Sequence, residues 1–318
     1  MKLTVQVFLG ATAVVFGAAA SSQANSITLD QTIFDTNYTA SDLGMRDVGA
    51  GNIVVSGVGG PVTNALLFWH GPTNSNSPTA NANVSVAGTP VTGTNIGFSQ
   101  DNFWASLNSQ AYRADVTSLI TGDGSYALSG FQNASAQING AGLFTFYDSG
   151  VSTGRRDVVI FDGNDSNFAS SFDPAGWDFT LSGINYTSGQ AFLQLLVSDG
   201  QNFSPNDDGT LRVNGTAIAT GGIFQGLGPR APGAGVSNGS LIDLERFDIT
   251  SLLSPGVNSL HITLDAGFDD ALSAVVAVVD LPAGAAPNQP GGEVPEPATL
   301  LLLGSGLAYG LRRRGQKS

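Results

Sequence analysis

Three blocks of this sequence occur twice, in the same order, and the repetition limits the fold more than any other feature. The first block is Ala65-Leu66-Leu67-Phe68-Trp69-His70, a polar loop, then Ala82 to Val91; its echo is Ala191-Phe192-Leu193-Gln194-Leu195-Leu196-Val197, a polar loop, then Gly209 to Ile218. Each copy reads as an apolar strand, a loop, and a strand entering an Ala-Gly or Asn-Gly hairpin turn. The second block is Tyr112 to Ile120 followed by Gly124 to Leu128, echoed by Arg246 to Leu253 followed by Gly256 to Ile262. The third is Ala141 to Asp148, echoed by Ser273 to Asp280. Ala65 and Ala191 stand 126 residues apart, and Asp115 and Asp248 stand 133 apart. A period this long is too large for a solenoid repeat and predicts tandem domains.

The residues inside the period predict strands. Gly, Ser, Thr, Asn and Asp abound, and long amphipathic helical patterns are missing, so the body reads as all-β. Arg156 to Gly163 and Trp177 to Leu181 also alternate as strands. In the Asp-Val/Ile-Thr-Ser-Leu block, Asp115 or Asp248 is suited to accept bonds from nearby backbone amides. Thr117 or Thr250 is suited to cap one helical turn, and the following Leu to plug the core. The expected layout is a first β-sandwich over residues 25–168, a second over 169–281, and a Pro/Gly/Ala linker over 282–293. This block pattern resembles the jelly-roll sandwiches appended to many glycosidases, the galactose-binding-like domains, and two-domain surface proteins of bacteria and archaea. The resemblance implies two antiparallel sheets per domain, and fold of this kind does not fix function.

Both ends of the chain carry targeting signals. Lys2 precedes a mostly apolar stretch from Leu3 to Ala20, and Ser22-Gln23-Ala24 supplies small residues for a signal peptidase. This predicts a secretory signal over residues 1–24, cleaved between Ala24 and Asn25. At the other end, Val294-Pro295-Glu296-Pro297 leads into an apolar run from Ala298 through Leu300, Leu303 and Gly306 to Leu311, and Arg312-Arg313-Arg314 follows. The run, 298–311, is short for a bilayer helix, which needs roughly twenty residues. The basic tail, 312–317, would stay on the cytoplasmic side. A short polar motif, an apolar run and an arginine stop, in that order over residues 294–318, resemble a PEP-CTERM sorting signal. The resemblance implies processing by an exosortase, a transient inner-membrane stage, removal of the tail, and association with exopolysaccharide in a biofilm or floc matrix.

Charge and composition exclude several chemistries. The formal charge is −13, and Lys2, Arg312, Arg313, Arg314 and Lys317 are five of the twelve basic residues. The body therefore holds seven arginines and no lysine, a surface that repels nucleic acid. The chain has no cysteine, which removes thiolate metal sites and cysteine nucleophiles. Glu245 is the only body glutamate and the aspartates cluster in turns, so no glycosidase-like carboxylate pair stands out. His70 and His261 lie in different blocks and suggest no shared metal site.

Two binding signals remain. Asp199, with Asn206-Asp207-Asp208, supplies oxygens of the kind a structural Ca²⁺ takes, as does Asp162-Gly163-Asn164-Asp165. Ordinary Asx turns explain these residues equally well. Trp69, Phe103 and Trp104 are candidates to stack on sugar rings, and packing inside the first sandwich is the competing role. The expectation is an exported, non-enzymatic protein of the outer envelope, cell surface or extracellular matrix, with a structural or adhesive role. A carbohydrate-binding protein and a secreted hydrolase are the alternatives.

Overall fold

The computed structural model describes residues 27–99, 106–168, 175–202, 208–266 and 270–286. The signal peptide, the sorting segment and its apolar run lie outside the described residues. The first half contributes β1 (Thr28–Gly44), β2 (Gly51–Val55), β3 (Val62–Thr73), β4 (Asn83–Val86), β5 (Thr89–Thr92), β6 (Thr94–Ser99), β7 (Asn108–Asp115), β8 (Gly124–Ser129) and β9 (Gly140–Tyr147). The second contributes β10 (Arg156–Ser166), β11 (Asp178–Tyr186), β12 (Phe192–Ser198), β13 (Gly209–Val213), β14 (Thr216–Thr220), β15 (Ile242–Asp248), β16 (Gly256–Ala266) and β17 (Ser273–Pro282).

The strand order shows the duplication directly. In the first half β1-β9-β3-β7 form one sheet, with β6 on its edge, and β2-β8-β4-β5 form the other. In the second half β10-β17-β12-β15 and β11-β16-β13-β14 repeat those orders strand for strand. Eight antiparallel strands split in this way are a jelly roll. The boundary expected after residue 168 falls one strand late, because β10 holds the place in the second half that β1 holds in the first. Arg156 to Gly163 forms a strand as expected, but it does not alternate, since both of its faces are buried, and the sequence does not mark the sheet it joins.

The two sandwiches are not beads on a string. β1 pairs with β10 over Thr28 to Thr36 and with β9 over Asn37 to Gly44. It breaks between them at Asp35, whose φ is +48°, so one strand belongs to both larger sheets and joins them into nine strands. Side chains then alternate between two interiors. Leu67 and Trp69 of β3 face the first sandwich core, while Leu66 and Phe68 face the second half. Likewise Val159 and Phe161 of β10 face the second core, while Val158 and Ile160 face the first half. The result is four layers with three apolar interiors, the middle one between the two larger sheets. Strands buried on both faces read as continuous apolar runs, which is why β3, β10 and β17 show so little polar alternation. The sheets approach closely: a Cβ on Gly142 of β9 would stand 2.6 Å from Leu196 Cδ2 of β12.

Each half also reaches across the seam. Ala231, in the connection before β15, is buried in the first core, and Ala231 N–H donates to Gly44 O at 2.9 Å. In return, Ser99 Oγ at the end of β6 accepts the Ser166 N–H of β10 at 3.1 Å.

The repeated Asp-x-Thr-Ser-Leu block does what its residue types suggest, with two corrections. Asp115 accepts the Thr117 N–H at 2.9 Å, and Asp248 accepts that of Thr250 at 2.9 Å. The threonines do not cap the short 3-10 turns Thr117–Leu119 and Thr250–Leu252. Their hydroxyls instead accept the backbone N–H of Ala65 and Ala191, at 2.9 and 3.0 Å, and fasten each turn to the strand opening the first block. The core plugs are Val116 with Ile120 and Ile249 with Leu253, while Leu119 and Leu252 are half-buried. The hairpin turns are as expected: Ala87-Gly88 and Asn214-Gly215 all take positive φ, as a type I′ turn requires.

Candidate functional site

The seam between the halves ends in polar groups at both extremities, and one end is open. There, Tyr38 of β1, Arg156 of β10, Gln194 of β12, Arg246 of β15 and Asp280 of β17 line a cleft of about 340 Å³ with Asn37. Asp280 organises it. Its carboxylate is buried and accepts from Arg156 Nε, from Arg246 Nη2 at 2.6 Å, and from the Tyr38 hydroxyl at 3.2 Å. Tyr38 also lies 3.0 Å from Gln194 Oε1, and burial, with the Asp280 charge, pushes its phenol above the ordinary range. The Arg246 guanidinium lies 3.6 Å from the Phe192 ring centroid, a cation–π stack that leaves its edge free. Arg246 is the exposed member of the group, at 46%.

The site is rich in donors and poor in free acceptors. Asp280 is engaged by both arginines, and the single Tyr38 proton is shared between Asp280 and Gln194 Oε1. Arg156 Nη2 donates to Gln190 O at 2.8 Å and to Asp280 O at 3.0 Å, and among the described residues Nη1 has no partner. Arg246 bonds through Nη2 alone among the described residues. Each guanidinium offers five N–H donors and no acceptor.

The opposite end of the seam is closed. His70 Nδ1 and Ser198 Oγ are 2.6 Å apart, Asn139 Nδ2 donates to Ser198 Oγ at 3.0 Å, and Arg46 binds Asn139 and, at 3.4 Å, Asp199. His70 and Ser198 resemble a base and a nucleophile, but both are sealed from solvent, so they fasten β3 to β12. Burial and then the Arg46 charge push the imidazole down to about 3. Nearby, Asp243 of β15 turns both carboxylate oxygens to Gly226 N–H at 2.9 and 3.1 Å. Burial pushes it up to about 8, and burial pushes Asp42 of β1 to about 6.

These shifts oppose each other in pH. His70 is neutral when folded, so its contribution is full above about pH 6.5 and is lost as pH falls toward 3. Asp243 keeps its proton when folded, so its contribution is full below about pH 4 and is lost as pH rises through 8. Each pH unit across which one such group differs is worth about 1.4 kcal/mol. The urea midpoint is therefore expected to fall steadily from pH 6.5 to pH 8.5, where His70 no longer titrates. Asp243→Asn should reduce the slope, the remainder coming from Asp270, which burial pushes up to about 9, and a midpoint that rises over this range would contradict the assignment.

The residues singled out in the sequence do not gather here. Trp69, a candidate sugar platform, is 1% exposed. Its ring stacks on Tyr112 with centroids 5.5 Å apart, and its Nε1 donates to Asn81 O at 2.9 Å. It is core, because β3 is buried on both faces. Phe103 and Trp104 lie outside the described residues. Of the calcium candidates, Asn206 and Asp207 also lie outside them. Asp199 faces Arg46, and Asp208 accepts Phe224 N–H at 2.7 Å. Asp162 to Asp165 is no loop at all but the end of β10, with Asp162 on Arg113. Among the described residues no three His, Asp or Glu side chains are grouped to hold a metal ion. No helix among them is long and apolar enough to cross a membrane. His261 Nε2 meets Asp178 at 2.5 Å on the surface.

Residues 293–314 match the PEP-CTERM protein-sorting motif. The sorting signal read over residues 294–318 is thus shown over 294–314, and the chain is an exported, exosortase-processed protein. No curated protein matches the chain. Among solved structures, PNGase F, a glycosylasparaginase from Flavobacterium meningosepticum, is 10% identical with a TM-score of 0.30, covering 80% of this chain and 96% of that one. A beta-porphyranase of glycoside hydrolase family 86 from Bacteroides plebeius is 17% identical with a TM-score of 0.27, covering 78% of this chain and 36% of that one. Scores this low do not establish a shared fold, and they carry no argument about activity.

Proposed function

We propose that this exported, exosortase-processed protein is a structural or adhesive component of an exopolysaccharide matrix at or beyond the cell surface, without catalysis of its own. The observation that carries the reading is the sorting signal at 293–314, joined by a short linker to one continuous four-layer β body. Several features suit a structural part. The halves are fastened by a shared strand, a common apolar layer and the reciprocal contacts of β6 and Ala231. Two buried titratable groups with shifted pKa have structural partners, Asp243 in Gly226 and His70 in Ser198. Neither leaves a nucleophile and a base side by side in an open cleft.

The test is matrix fractionation of the native host. The mature protein should co-purify with extracellular polysaccharide and be released when that polymer is enzymatically degraded. Recovery in the soluble periplasmic fraction, indifferent to polymer degradation, would overturn the reading.

A further inference from the structure

We infer that the open end of the seam binds an acidic sugar, through the carboxylate of a uronate residue carried on an otherwise neutral polysaccharide. The inference rests on the matrix role proposed above and names the ligand and the place. Two of the seven body arginines converge on this cleft in a chain of net charge −13. Among its six named lining residues two cations face one carboxylate, so the cleft is locally positive on an acidic surface.

Donor geometry selects the ligand group. Among the described residues Arg156 Nη1, the remaining N–H groups of Arg246 and the Gln194 amide nitrogen have no partner, while Asp280 is engaged by both arginines and shares the Tyr38 proton with Gln194 Oε1. An incoming group must therefore bring acceptors and little need of its own to donate, as a carboxylate does. The Arg246 guanidinium, held over the Phe192 ring, keeps N–H donors beyond the one given to Asp280, and charge-assisted bonds from such donors to a carboxylate are the strong ones. Size and surroundings select the carrier. About 340 Å³ of open cleft admits a sugar ring, with Asn37 at its margin for hydroxyls. The surrounding acidic surface acts over a Debye length of about 8 Å at physiological salt. It disfavours a densely charged polyanion and tolerates an isolated acid group.

The experiment uses the full mature protein and calorimetric titration with a glucuronate-bearing xylo-oligosaccharide. A neutral xylo-oligosaccharide of equal length and inorganic sulfate serve as comparison probes. The acidic oligosaccharide should bind, weakening with added salt. Arg246→Gln, at an exposed position, should weaken it at least about tenfold, the loss of one charge-assisted contact. Gln194→Leu should weaken it by a smaller factor, with circular dichroism unchanged for both variants. Equal binding of the neutral probe, or acidic binding untouched by Arg246→Gln, would overturn the assignment. Sulfate binding as tightly as the oligosaccharide would also overturn it, by reducing the cleft to a simple anion site. Persistence of matrix co-fractionation in the Arg246→Gln strain alongside lost binding would uphold the cleft as the uronate site and overturn only its role in matrix attachment. Loss of co-fractionation in the wild type would refute the matrix role while leaving the titration intact.

Discussion

Phe68→Ala is expected to cost about 3–5 kcal/mol and to weaken both halves of the body together. Phe68 is fully buried in the middle apolar layer, edge-on to Phe144 with ring centroids 5.8 Å apart. Its neighbours in that layer include Val158 and Ile160 of β10 and Val276 and Val278 of β17, so the cavity would open between the halves. If the shared layer couples them, amide exchange in β12 should accelerate as much as exchange in β3, although the substitution is in β3. Hydrogen exchange followed by mass spectrometry on peptides covering the two strands reads this directly. Acceleration confined to the first half would show that the sandwiches unfold independently.

Asp280→Ala should cost about 3 kcal/mol, the low end for breaking a buried ion pair, since Arg246 can rehydrate. Without the carboxylate, the Arg156 and Arg246 guanidinium groups, 5.7 and 3.6 Å from the Phe192 ring centroid, have no anion between them. Tyr38 keeps only Gln194. The contrast is Arg246→Gln, which removes one exposed partner and should cost at most about 1 kcal/mol. Chemical denaturation of the two variants side by side checks the ranking. Equal, small effects would mean that Asp280 does not organise the cleft.

Much of the architecture was legible in the sequence because duplication puts the same demand on the same residue type twice. Asp115 and Asp248, Thr117 and Thr250, and the Ala-Gly and Asn-Gly turns are local devices, and local hydrogen bonds leave local spacing. The continuous apolar runs at Ala65–Trp69 and Val158–Phe161 also carried a signal, since strands with both faces buried lose their alternation. What covers the second face was not legible. The seam brings together Tyr38 and Asp280, 242 residues apart, and His70 and Ser198, 128 apart. Neither pair has a spacing that a motif could reveal. Trp69 misled for a related reason: an aromatic beside a polar loop looks like a platform until its strand is known to lie between two sheets. The sorting signal was legible in full, because such a signal is read as contiguous sequence rather than as a fold.

The central claim is that export and exosortase processing deliver this β body to the outside, and intact-mass analysis of the protein from its native host tests it most directly. The expected mature species begins at Asn25, lacks the tail beyond Pro295-Glu296-Pro297 and is recovered outside the inner membrane. A species that retains Leu300 to Arg314 and stays in the inner membrane would contradict it.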